Sequence, residues 1–225
     1  QRALQYAATF GYTVWLRPQE MHLGKGVAAS GPLATRLGLG GVPVAAETIA
    51  LHTIFALMRS TKARVHLCRI SSAEGVELVR AAKKEGLAVT ADVSINSLHL
   101  SDHDIGYFDS RARVTPVLRQ QRDRDALRAA LADGTIDVLV SDHTPVDVDA
   151  KALPFAEAES GATGLELLLS LSLKWANDSK VSMLRALEVL TSQPAKVLGK
   201  IEGQSESMGQ LHVGGVADLV VFDPT

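Results

Sequence analysis

The residues best placed for chemistry are Asp142 and His143, which close an apolar run, IDVLVSD, with the composition of a buried strand. A carboxylate at the carboxyl end of a strand can act as a metal ligand or as a general base. The same carboxylate can instead cap the next segment or accept hydrogen bonds from loop amides. Both interpretations of Asp142 stay open at this stage. His143 alone indicates a packed or solvent-facing side chain rather than a ligand.

Two other predicted strands carry arginine at their ends, namely Arg17 after TVWL and Arg69 within RVHLCRI. A guanidinium group stays protonated and offers only hydrogen-bond donors, so neither residue can bind a metal cation. His66 lies inside the second strand, and period-2 alternation places it on the opposite face from Arg69. We therefore interpret His66 as a structural residue. The sequence has no H-x-H, H-E-x-x-H or C-x-x-C, the spacings typical of metal sites.

The elements that must position these residues follow a regular alternation. Apolar runs rich in β-branched residues predict strands over 13–17, 64–70, 87–93 and 136–142, and helical spacing predicts helices over 43–58, 71–82 and 123–131. Such alternation indicates βαβ units and a parallel sheet. The strands amount to about half of an eight-stranded barrel. An open doubly wound sheet fits the same period, although no G-x-G-x-x-G follows a strand.

Local signals define the helix ends and the domain division. Ser71 and Glu74 form the pattern of a capping box at the start of one helix, and Gly86 suits its left-handed end. After residue 200 the alternating apolar residues and close glycines predict a small accessory sheet. The sequence thus predicts a barrel domain over 1–200 and an accessory β segment over 201–225. Because the chain opens inside a helix pattern and closes on a strand pattern, we expect it to belong to a longer protein.

Composition limits the possible partners and location. The chain has 225 residues, of which 46% are hydrophobic and 21% charged, with a formal net charge of −2. These values are typical of a globular domain and give no basic field for nucleic acid. No apolar run is long enough for a membrane span. The lone Cys68 leaves no internal disulfide, which fits a cytoplasmic location.

Several motifs together resemble one enzyme family. They are LGLGGVPVAAE (37–47), RVHLCRISSAEGVELVRAAKKEGLAVTADV (64–93), ARVTPVLR (112–119), VSDHTP (140–145), SGATGLE (160–166), SQPAKVLG (192–199) and GQLHVGGVADLVVFDP (209–224). Each is weak alone, but their order and spacing resemble the dihydroorotases of the amidohydrolase superfamily along nearly the whole chain. The resemblance implies a (β/α)8 TIM barrel of the metal-dependent hydrolase type, which this chain covers only in part. It also assigns the accessory sheet to the terminal segments.

The functional positions of that family are largely replaced. Arg17 stands where the family places a zinc-binding His before Cys-Glu, and Arg69 stands at the ligand His of an H-V-S motif. Thr115 occupies the place of the substrate-binding Asn in N-P-P-L-R. In the family's D-H-A-P-H, Asp142 remains but the final His is Val146. The family's H-x-H lies upstream of this sequence.

These replacements imply a degenerate site without a metal. A divalent cation beside Arg17 and Arg69 would meet like charges, which at ~4 Å repel by roughly 1 to 4 kcal/mol. We expect Arg17 or Arg69 to pair with Asp142 instead. The resemblance then implies a cofactor-free, non-catalytic subunit that supports assembly of aspartate transcarbamoylase, through its catalytic chain, in pyrimidine (UMP) biosynthesis. Such a subunit would form homo- or hetero-oligomers and contact neither nucleic acid nor membrane.

Two alternatives remain open. The chain could belong to an active zinc-dependent dihydroorotase that hydrolyses dihydroorotate to carbamoyl aspartate. The metal would then be held by upstream residues together with Asp142, which would be catalytic. It could also belong to a regulatory module that holds an anionic metabolite, because guanidinium groups suit carboxylates. Arg17, Arg69 and Arg119 are the candidate binding residues for that role.

Overall fold

The computed structural model describes residues 1–199, 208–215 and 217–224. Its main sheet has four parallel strands, and a second sheet has two. The main sheet comprises β1 (Thr13–Leu16), β4 (Arg64–Leu67), β5 (Val89–Ser94) and β6 (Val138–Val140), and the small sheet pairs β2 (Ala28–Ala29) with β3 (Gly41–Val42). All four predicted strands are therefore confirmed, each shorter than its pattern suggested.

Helices fill the intervals between the strands. They are α1 (Arg2–Thr9), α2 (Pro32–Leu37), α3 (Ala45–Thr61), α4 (Ala73–Glu85), α5 (Ile95–His99), α6 (Gln121–Asp133), α7 (Val148–Lys151), α8 (Leu168–Ser179), α9 (Met183–Glu188) and α10 (Ser192–Leu198), with 3₁₀ turns at Leu23–Lys25, Asp102–Ile105 and Ser110–Ala112. No described helix is both long and apolar enough to cross a membrane.

The strand order distinguishes between the two architectures that the period allowed. The strands of the main sheet lie in the order β1-β4-β5-β6. Each of them is therefore the neighbour of the main-sheet strand that follows it in the chain. A doubly wound sheet reverses direction at a switch point, and the described strands show no such reversal. The sheet is a section of a (β/α) barrel, whose active sites form at the carboxyl ends of the strands.

The two faces of the sheet have different surroundings. Val65 and Leu67 of β4 belong to the main hydrophobic core with residues of α3 and α4. Between them His66 points to the opposite face, where it lies in register with Trp15 of β1 and Thr90 of β5. The Trp15 and His66 rings are 4.4 Å apart. This face is the inner wall of the barrel, and the candidate site lies at the carboxyl ends of its strands.

The start of α4 corrects one detail of the sequence analysis. Its N-cap is Ser72, whose hydroxyl accepts a hydrogen bond from the Gly75 amide, rather than Ser71. Glu74 lies in the first turn but pairs with Arg122 at the surface. The predicted end of the helix is confirmed, because Gly86 adopts a left-handed conformation with φ of 89°. Of the two serines, only Ser72 therefore caps the helix.

The accessory β segment stays a prediction, because the described part of the terminal segment forms no strand with the described strands. Residues 208–215 and 217–224 contain no strand where the alternating pattern indicates one. Their apolar side chains are exposed, including Leu211, Val213 and Val221. No described strand lies beside them, and a strand needs a partner for its backbone hydrogen bonds. Residues 201–207, 216 and 225 of the predicted segment 201–225 lie outside the described residues.

Candidate functional site

The carboxyl ends of the four main strands bring four polar side chains to one edge of the sheet. Arg17 follows β1, Arg69 follows β4, Asn96 follows β5 and Asp142 follows β6. All four line a cavity of about 320 Å³, which also includes Thr115. The structure therefore places three residues predicted from sequence, Arg17, Arg69 and Asp142, in one site. We refer to this space as the Asp142 cavity.

A salt bridge joins Arg69 and Asp142, two of the residues that line this cavity. Arg69 Nη1 donates to Asp142 Oδ1 over 2.7 Å, and the Asp142 side chain is only 9% exposed. Both residues adopt left-handed backbone conformations, with φ of 61° at Arg69 and 48° at Asp142. Non-glycine residues rarely adopt this conformation, so the surrounding structure must hold them there. The expected pairing of an arginine with Asp142 is confirmed, and Arg69 is the partner.

The backbone of Arg69 is held by a second buried carboxylate. Asp92 Oδ1 accepts a hydrogen bond from the Arg69 amide over 2.7 Å, and Asp92 Oδ2 lies 3.0 Å from His66 Nε2. The other ring nitrogen of His66 is bonded to Thr90 Oγ1. His66 and Asp92 are almost fully buried. This chain of contacts fixes the turn that aims Arg69 at Asp142.

Arg17 has no comparable partner. Within the described part of the chain it makes no hydrogen bond or ion pair. Burial lowers the pKa of Arg17, the nearby Arg69 lowers it further, and Asp142 and Glu47 oppose the shift. Arg17 therefore contributes an unneutralised positive charge to the site.

A second cavity of about 230 Å³ adjoins the first and shares Arg17, Arg69 and Thr115 with it. We refer to it as the arginine cavity; its cationic lining residues are Arg17, Lys25, Arg69, Arg113 and Arg119. Arg119 is 7% exposed, and its guanidinium group donates to Ser71 Oγ and to the Val42 carbonyl. These bonds give Arg119, a candidate binding residue, an anchoring role in the wall.

The wall of the arginine cavity is organised by Glu47, a buried residue of α3 that the sequence analysis did not single out. Its carboxylate accepts four hydrogen bonds, from the amides and hydroxyls of Ser71 and Ser72, over 2.5–3.1 Å. Beyond these bonds the two hydroxyls differ in what they accept, because Ser72 Oγ accepts from the Gly75 amide and Ser71 Oγ accepts from Arg119 Nε. Gly75 is required beside Glu47, because a Cβ there would lie 2.1 Å from Glu47 Oε1.

Two further residues of the site were not predicted. Asn96 follows the end of β5, but a lone asparagine has no spacing that marks it as a site residue. Arg113 lies in a loop, and its buried Nε has no hydrogen-bond partner. Lys151 fixes that loop by donating to the carbonyls of Ser110 and Arg113. No pattern in the sequence brings Arg113 to the cavity, since its position depends on tertiary contacts.

The residues present do not fit a divalent cation at the strand ends. Asp142 already accepts a charged hydrogen bond from Arg69, and Arg17 adds a second guanidinium to the same cavity. Asn96 can offer an amide oxygen, but zinc prefers imidazole, thiolate and carboxylate ligands. A cation here would have to displace Arg69 and then bear the repulsion of two arginines. The chemistry of this donor set favours an anion.

A separate group of potential ligands lies deeper in the barrel wall. The ligand atoms of His66, Cys68 and Asp92 lie within 4.8 Å of one another. Burial raises the pKa of the Cys68 thiol to about 11, an effect that Asp92 adds to and Arg69 opposes. His66 is bonded through both ring nitrogens, and Asp92 accepts from the Arg69 amide as well, so these groups serve the packing of the wall. Their bonds indicate a structural cluster.

Comparison with known proteins supports the same architecture. The sequence pattern of the amidohydrolase family matches residues 34–225. A dihydroorotase-like protein of Pseudomonas putida is 42% identical over 99% of this chain and 51% of its own length. A dihydroorotase of Desulfotalea psychrophila is 39% identical over all of this chain and 52% of its own. The chain thus spans about half the length of these relatives.

Solved structures give the same picture of the fold. An L-hydantoinase of Arthrobacter aurescens matches with a TM-score of 0.81 and 26% identity, over 95% of this chain and 48% of that one. A dihydroorotase of Saccharomyces cerevisiae in complex with 5-fluoroorotic acid matches with a TM-score of 0.73 and 14% identity, over 91% and 55%. At that identity the second likeness concerns the fold alone.

Proposed function

This chain belongs to the amidohydrolase family, and on that basis we propose that it is part of a dihydroorotase-like subunit with no hydrolytic activity of its own. The observation that carries the proposal is the Arg69–Asp142 salt bridge at the strand ends. It occupies the carboxylate that the resemblance assigns to metal binding and proton transfer. Family membership supplies the scaffold, and the site residues supply the reason for inactivity.

Hydrolysis of a cyclic amide needs an activated water molecule. Free water has a pKa of about 15.7, and zinc lowers the pKa of a bound water to about 7. The described residues of the Asp142 cavity offer guanidinium and amide groups in place of a cation site. They can hold or orient an anion, but they provide no means of generating hydroxide near neutral pH.

We further propose that the subunit supports assembly of aspartate transcarbamoylase in pyrimidine biosynthesis, in the cytoplasm. What supports this partner is the resemblance to degenerate dihydroorotase-like chains that assemble with that enzyme. An ordered scaffold beside the replaced ligand positions also favours a structural role. The cap of α4, the close packing at Gly75 and the buried contacts of Glu47 hold the wall next to Arg69.

The first test concerns metal and turnover in the full-length polypeptide. After incubation with zinc and removal of free metal, elemental analysis is expected to find well under one zinc per chain, because the ligand positions hold arginine. Hydrolysis of dihydroorotate should not exceed the rate in buffer. Asp142→Asn is the control for contaminating enzyme, since it should leave any trace rate unchanged. Stoichiometric zinc together with turnover that Asp142→Asn abolishes would establish the active enzyme instead.

The second test concerns the partner. The full-length protein mixed at micromolar concentration with the aspartate transcarbamoylase catalytic chain is expected to elute as one particle, larger than either protein alone. An unrelated barrel protein of similar mass serves as the negative control. Multi-angle light scattering across the peak gives the mass. Separate elution of the two chains at this concentration would refute the assembly role and leave the inactivity proposal standing.

A further inference from the structure

The arginine cavity carries an excess of positive charge that its own residues do not neutralise. Among the described residues, five cationic side chains and one carboxylate line it. That carboxylate, Glu47, is already engaged by the amides and hydroxyls of two serines. Arg69 is neutralised by Asp142 from the adjoining cavity. Among the described lining residues, no anionic group is therefore left to pair with the remaining cations.

Two of these cations are placed as binding groups. Arg17 makes no hydrogen bond or ion pair with any described residue, and burial holds its pKa below the usual value. Arg113 is similarly desolvated, with its pKa lowered by burial, and its Nε is buried without a partner. A buried donor without an acceptor is unfavourable. Arg17 and Arg113 line the same cavity, so one ligand held there would lie beside both residues.

We propose that the arginine cavity binds a compact dianion, whose oxyanion groups are held by Arg17 and Arg113. The inference rests on the proposed function in one respect, namely that this end of the barrel holds no metal. Planar guanidinium groups bind carboxylates and phosphates through paired hydrogen bonds. Two unpaired guanidiniums match two negative charges. A volume of about 230 Å³ accommodates a phosphate or a four-carbon dicarboxylate rather than a nucleotide.

Isothermal titration of the zinc-free, full-length protein tests the site, with inorganic phosphate and succinate as probes at constant ionic strength. At least one of the two is expected to give saturable heat, and the stronger one identifies the phosphate or dicarboxylate form of the ligand. Acetate, with one charge, should bind about tenfold or more weakly, because it can satisfy only one of the guanidiniums. No saturable heat with either dianion would overturn the proposal.

Variants locate the binding. Arg17→Gln and Arg113→Gln are each expected to weaken the better dianion by about tenfold or more, since each loses a charge-assisted contact. Arg36→Gln is the matched control, because Arg36 is an exposed arginine that lines a different surface cavity, and its affinity should equal that of the wild type. Unchanged affinity in both cavity variants would overturn the assignment.

A measurement on the wild type keeps the test valid if the variants fail to fold. Succinamate has nearly the shape of succinate and one charge fewer. If succinate is the preferred probe, succinamate should bind about tenfold or more weakly than succinate. Equal affinities would refute the two-arginine site; where phosphate is preferred, methyl phosphonate monoester replaces succinamate. Failure of the dianion to bind zinc-free protein refutes this inference alone, whereas zinc uptake with turnover refutes the proposed function.

Discussion

Replacing Glu47 with alanine is expected to lower the free energy of unfolding by about 4 kcal/mol. Glu47 is 4% exposed, and its carboxylate accepts hydrogen bonds from two amides and two hydroxyls. Removing it leaves several buried donors unsatisfied, each at roughly 1–3 kcal/mol, with partial compensation where water enters the space. Urea denaturation followed by circular dichroism measures the change.

Glu74→Ala is the control for this prediction. Glu74 belongs to the apparent capping box, but its carboxylate forms an exposed ion pair with Arg122. Such pairs contribute less than about 1 kcal/mol. A larger loss in Glu74→Ala than in Glu47→Ala would mean that the capping box read from the sequence, and not the Glu47 network, holds the start of α4.

The second large effect concerns the salt bridge at the strand ends. Asp142→Ala is expected to destabilise the fold by about 3 kcal/mol, because it leaves Arg69 in a partly buried site without its partner. Arg17 lines the same cavity and adds a like charge, so the loss is not confined to one hydrogen bond. Thermal and urea unfolding of the full-length variant provide the measurement.

The double variant Arg69→Met/Asp142→Leu tests the physical basis of that effect. Removing both charges avoids the stranded guanidinium, so the expected change is within about 1 kcal/mol of the wild type. Arg59→Met/Glu85→Leu, at an exposed salt bridge, is a matched control for altered side chains. If the double variant were as unstable as Asp142→Ala, the salt bridge would not be the source of the single variant's loss.

The architecture could be predicted because it depends on local periodicity. Short β-branched runs alternating with helical spacing predicted the four parallel strands, and Gly86 predicted the end of α4. Strand order was not accessible from the period, since barrel and open sheet share it. The accessory β segment stays a prediction, because alternation describes a surface that needs a neighbouring strand and none of the described strands pairs with residues 208–215 or 217–224.

Three site residues could be predicted because they lie at strand ends. Arg17, Arg69 and Asp142 each lie within two residues of the end of a strand, so the parallel sheet brings them together. Arg119, the other predicted binding residue, lines the adjoining arginine cavity. Glu47 and Arg113 reach the site through tertiary packing. Glu47 contacts serines that lie 24 and 25 residues away in sequence. No local pattern encodes such a contact. The cap predicted at Ser71 lies at Ser72 instead, one residue further along the chain.

The left-handed turn at Arg69 and its bond to Asp142 bear on whether hydrolysis could be regained in evolution. Restoring an imidazole at position 69 alone would free Asp142 but leave Arg17 facing the same space. Changing Arg17 alone would leave Asp142 engaged by Arg69. The first change breaks the neutral pair, the second keeps it, and neither alone yields a complete set of metal ligands. Under the proposed function, substitutions at both positions are therefore needed before a metal can bind beside Asp142.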